Sequence, residues 1–136
     1  MTRLRDWPSR FAALVAAARA RPFAWGSHDC CLWAADAVQA VTGRDPAAQW
    51  RGTYSSEIGA FRVVLALGGL PAIAALGGVE IPPGLAIQGD VGLVRWPDGI
   101  HSLGVCAGAG RWLVVGDEGL VTLQDCETQA WGVGRV

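Results

Sequence analysis

The stretch "PFAWGSHDCCLWAADAV", residues 22–38, decides the fold. It sets an aromatic, a Trp-Gly pair, a His, an Asp and two adjacent cysteines ahead of an apolar run. Ser27 or Asp29 is placed to cap a helix through Leu32, Trp33, Ala37, Val38 and Val41, stopping at Gly43. Cys30 then falls in the first turn, where unpaired backbone N–H groups and the helix dipole favour a thiolate. A small buried thiol in a helix is the alternative at the same position.

A nucleophilic thiol needs a base within reach. The chain has two histidines. His28 stands so near Cys30 in sequence that it suits a cap or loop. His101 follows a "PDG" turn on an expected strand, and a strand crossing the helix terminus would deliver it.

Upstream, Asp6-Trp7-Pro8 reads as a helix start, and Leu4, Trp7, Phe11, Leu14, Val15 and Ala18 recur at helical spacing up to Pro22. Downstream, Ser55 or Ser56 caps a third helix with Ile58, Phe61, Val64 and Leu65 on one face. A short fourth helix covers residues 71–76. "VEIPPGLAIQGD" (79–90) reads as a connector. "VGLVRW", "IHSLGVCA", "RWLVVG", "LVTLQ" and a last segment near "AWGVGRV" read as strands separated by turns. Helices first and an antiparallel sheet after them define an α+β domain with its helices on one sheet face.

The 136 residues suit one domain, 1–136, and 51% hydrophobic content against 17% charged supplies a core. With a net charge of -1 and no basic run, nucleic-acid binding has no electrostatic support. The apolar stretch 11–20 is too short to span a bilayer. Its helical spacing reads as a folded amphipathic helix, not an export signal. Cys30, Cys31, Cys106 and Cys126 form no CxxC pair, which argues against a zinc ribbon and suits reduced, mostly core thiols. A metal or iron–sulfur module built from all four is the weaker alternative; no cofactor is expected. Asp36 is expected to be solvated or paired with Arg44. Trp96 and Trp131 are candidate surface anchors. Arg51 and Tyr54 are placed to fix the middle loop, with the Tyr54 hydroxyl a candidate donor near Cys30.

"FAWGSHDCCLWAADAV", then "GDVGLV" (89–94), then "HSLGVC" (101–106) resembles the NlpC-type, papain-like peptidoglycan peptidases. "PFAWGSHDC", "VTGRDPAA", "RGTY" and "GDVGLV" in this order resemble the small NlpC-like proteins of tailed phages and gene-transfer agents. The resemblance implies an NlpC-type fold over nearly the whole chain and a place in the virion tail tip, after synthesis in the host cytoplasm. It puts Cys30 at the nucleophile position, His101 as the base, and Trp25, Gly26, His28, Asp29, Tyr54 and Ser102 around them. One spacing departs from the family. The usual order is His, one residue, Gly; here it is His101, Ser102, Leu103, Gly104, so aligning Gly104 puts Ser102 at the base position. A one-residue slip would aim the imidazole away from the thiol. The third, orienting position falls near Val114 or Val115, which accept no hydrogen bond through their side chains. Two functions follow. The first is a structural or adaptor module contacting tail-tip or hub proteins, with a degenerate site. The second is an active peptidase or amidase on peptidoglycan.

Overall fold

The computed structural model describes residues 1–135; Val136, the end of the last expected strand, lies outside the described residues. Helix α1 (Trp7–Ala18) has Pro in its first turn, where no N–H partner is needed. The Asp6 side chain makes no cap. It reaches forward to Arg10 Nε at 3.0 Å instead. Helix α2 (Cys30–Thr42) starts at the Asp29 cap and ends at Gly43, which takes the left-handed conformation at φ 80°. Leu32, Trp33, Ala37 and Val41 are wholly shielded, and the Trp33 indole N–H donates to the Leu113 carbonyl at 3.0 Å. The largest core side chain therefore leaves no polar atom unpaired.

Helix α3 (Glu57–Leu67) is capped by Ser56, whose Oγ accepts from the Gly59 N–H, and α4 (Leu70–Ala74) follows. The apolar face expected for α3 is not buried as a unit. Ala60 is buried and Val64 leans on the core, while Ile58, Phe61 and Leu65 are 66%, 61% and 62% exposed.

Among the described residues six strands form one sheet: β1 (Gly78–Ile81), β2 (Val91–Arg95), β3 (His101–Gly108), β4 (Arg111–Gly116), β5 (Gly119–Gln124) and β6 (Thr128–Val133). The order is β1-β6-β2-β3-β4-β5, and every pair is antiparallel. Residues 78–81, read as part of a connector or just before it, pair with β6 from Gly78↔Val133 to Ile81↔Ala130. They cover the outer edge of β6, which sequence alternation alone did not reveal.

The sheet has two apolar faces rather than one. Leu103, Val105, Leu113 and Val115 pack under α2. Val94, Cys106, Trp112, Val114 and Ala130 form a second core on the far face, with Ile81, Trp96 and Cys126 against it. Gly92 is needed there, because a Cβ would stand 2.6 Å from the Trp112 ring. Trp131 is no surface anchor. It is 4% exposed and lies in the main core, beside its register partner Val91. Trp96 is half-buried. Among the described residues no single helix is long and apolar enough to cross a membrane.

The "GD" at residues 89–90 acts as a clasp. Asp90 is fully buried and accepts from the N–H groups of Ile87 and Val133 at 2.9 and 2.8 Å. Arg3 pairs with one carboxylate oxygen at 2.8 Å and Arg135 with the other at 2.5 Å. One carboxylate thus ties both chain ends to the sheet. Removing one partner of such a buried pair leaves charge uncompensated. Asp90→Asn is expected to cost about 3 kcal/mol in urea unfolding. Asp6→Asn, at an exposed pair, should shift stability by less than about 0.5 kcal/mol.

Candidate active site

Asp29 organises the start of α2. Its Oδ1 accepts from the Leu32 N–H at 3.0 Å. Its Oδ2 accepts from the Gly26 N–H at 3.0 Å and from the Tyr54 hydroxyl at 2.6 Å. Gly26 has φ 81°, and a Cβ there would lie 2.0 Å from the Tyr54 carbonyl oxygen. The Trp-Gly pair is therefore clamped to the middle loop. Burial and the bond to Asp29 push the Tyr54 hydroxyl well above its usual range, so it stays a donor. Arg51 holds the same loop, pairing with Asp45 and Asp36, each at 2.9 Å. The partner of Asp36 is thus Arg51 and not Arg44, because the loop folds back over α2.

Cys30, the first residue of α2, is half-buried. Its thiol is pulled below the ordinary value, chiefly by a hydrogen bond from Cys31. Burial opposes this, the Leu103 backbone N–H supports it, Asp29 opposes it, and the thiol's own backbone N–H supports it. Cys31 is held far above the ordinary thiol range, first by its hydrogen bond to Cys30 and then by burial. Of the two adjacent cysteines, Cys30 is therefore the one that ionises more readily, and Cys31 keeps its proton.

The Leu103 N–H is free for this because the sheet splays. The β3–β4 ladder begins at Val105↔Leu113, so Leu103 has no partner on β4. Strand alternation fixes the rest. Leu103 and Val105 face α2, whereas Cys106 faces the second core and Ser102 accepts from the Trp96 Nε1–H at 2.7 Å. His101 therefore shares the face of Leu103, on the α2 side. The slip expected from Gly104 does not send it to the far face; Ser102 is the residue that points away.

Cys30 and His101 line one open cleft of about 700 Å³, with Phe23, Trp25, Ser102, Val115 and Asp117. The imidazole is exposed and is not among the hydrogen-bond partners of the thiol. Of the expected third positions, Val114 is buried in the far core and Val115 lines the cleft. Polar groups that sequence reading missed stand on the other side of His101: Glu127, Thr128 and Gln129 line a groove of about 290 Å³ with it. Thr128 and Gln129 come from β6, a strand distant in sequence that lies next to β2, and Glu127 is the residue just before it. A further cleft of about 360 Å³, between α1 and the sheet, carries Arg19 and Arg111 but no thiol. Among the described residues no three His, Cys, Asp or Glu side chains converge as a metal site, and Cys106 packs on the opposite sheet face from Cys31.

These features define an α+β domain with an acidified cysteine at a helix N-terminus, facing a sheet across an open cleft. Residues 2–133 match the family described as a domain of unknown function, DUF6950, and the chain belongs to that family. No curated protein matches it.

His28 is neither a cap nor a cleft residue. It is 1% exposed, neither ring nitrogen has a hydrogen-bond partner, and its ring meets Trp33 edge-on at 6.0 Å. Burial, then the charge of Arg21, lowers its pKa below 6.5. The unfolded chain therefore binds this proton more readily than the folded one. The stability contribution is complete above pH 6.5 and is lost as pH falls through the lower folded value. Urea midpoints are expected to drop between about pH 7.5 and about pH 5, and His28→Phe should flatten that slope.

Proposed function

We propose that this chain is a cysteine-dependent amide hydrolase of the papain-like, NlpC type, acting on peptide bonds of peptidoglycan at the tail tip of a phage or gene-transfer particle. The tail setting and the substrate rest on the sequence resemblance. The observation that carries the hydrolase reading is the sharing of one open cleft by an acidified Cys30 thiol and His101, on the α2 side of β3.

His101 takes the thiol proton, and the sulfur attacks the carbonyl carbon to form a C–S bond. The backbone N–H of Cys30, at a helix start where N–H groups lack intrahelical partners, faces the developing oxyanion. The C–N bond breaks, and the amine leaves with the proton from His101. Water then attacks the thioester, the C–S bond breaks, and the proton returns to the thiol. The products are a carboxylic acid and an amine. An exposed imidazole turns between rotamers on the ps–ns scale, and catalytic hydrogen bonds often tighten only with substrate.

A second reading, a tail adaptor that has lost hydrolysis, is favoured by the exposed Ile58, Phe61 and Leu65 of α3. Purified cell-wall sacculi separate the two. The hydrolase releases soluble fragments, Cys30→Ala abolishes release, and His101→Ala lowers it by about 10²–10⁴-fold. Equal release by the parent and Cys30→Ala would end the hydrolase proposal and leave the adaptor.

A further inference from the structure

We infer that the site takes its substrate with an apolar acyl half, seated in the groove between α2 and α3. This deepens the hydrolase reading and rests on it. Cys30 lies at the meeting of two hollows. One is the cleft that holds His101. The other, about 460 Å³, contains Cys30 and Cys31 with Trp25, Ile58, Phe61 and Val64 along its walls.

The two hollows have different chemistry. The His101 cleft carries Asp98 and Asp117 besides its apolar groups. The α2–α3 groove offers Asp29 and Glu57 as its acidic residues, and the rest of its wall is aliphatic, aromatic or thiol. Asp29 already spends its oxygens on Leu32, Gly26 and Tyr54. Among the described residues no Arg lines either hollow.

Mechanism assigns the halves. The group that leaves must be protonated by His101, so the amine departs into the His101 cleft. The acyl group stays on sulfur and must extend the other way, over Cys31 and toward Phe61. Ile58 and Phe61, exposed at 66% and 61%, then gain cover when an apolar acyl group fills the groove. Cys31, protonated and buried, forms part of its floor.

A series of p-nitrophenyl esters tests this, because the leaving group stays constant while the acyl chain grows from acetate to hexanoate. A fully buried methylene multiplies kcat/KM by about fourfold, so hexanoate should exceed acetate by at least about tenfold, in a Cys30-dependent manner. Phe61→Asp should collapse the hexanoate-to-acetate ratio toward one, and Val79→Asp, on exposed β1, should keep it. Cys30-dependent turnover with no chain-length preference, or a preference that Phe61→Asp leaves intact, overturns the acyl-groove assignment but spares the hydrolase. No Cys30-dependent turnover of any ester overturns both. Sedimentation of the same samples must show a monomer; a dimer dissociated by Phe61→Asp would put a second copy in the groove and overturn the inference.

Discussion

The Asp29 carboxylate sits at the one point where three separate parts of the chain must agree. It caps α2 through Leu32, holds the Trp25-Gly26 turn through the Gly26 N–H, and anchors the middle loop through the Tyr54 hydroxyl. At 2% exposure it has no water to fall back on, so the three donors replace its hydration shell. Hydrogen bonds to a charged group are each worth about 1.5–3 kcal/mol when solvent is excluded. The consequence is positional. Cys30 cannot move without moving the cap, and both hollows that flank it are walled by segments the same carboxylate fixes.

The thiol's acidity comes from balance rather than from one dominant partner. Asp29 itself and burial work against the thiolate. Cys31, the Leu103 N–H and the Cys30 N–H work for it and prevail. Two of those donors are backbone groups left free by topology: one by a helix start, the other because β3 pairs with β4 only from Val105 onward. Asp90 plays the corresponding part for the rest of the molecule, clasping Arg3 and Arg135 so that the sheet carrying His101 is tied to both ends.

Much of this was legible in the sequence where a local signal existed. Asp29 as cap, Gly43 as a helix stop, and the antiparallel β2–β5 run follow from short-range chemistry, and the structure has them. What failed to show was non-local. The pairing of residues 78–81 with β6 depends on which edge is free, and no pattern within "VEIP" encodes that. The fate of Ile58, Phe61 and Leu65 depends on whether anything lies above α3; their helical spacing looks the same buried or exposed. Trp131 looked terminal and proved central for the same reason. At the site, Cys30 was readable from its cap, whereas the face of His101 required knowing that Leu103 packs under α2. Glu127 and Gln129 reach its neighbourhood only through the crossover that seats β6 beside β2.

The central claim is that Cys30 is poised as a thiolate at the mouth of the cleft. Thiolate absorbance near about 240 nm, titrated on the folded protein and on Cys30→Ser, tests it directly. A first ionisation below the ordinary thiol value of 9.0, missing from the variant while Cys31 stays protonated, is the expected result. Identical titrations of the two proteins, with no thiolate formed before pH 9.0, would contradict it.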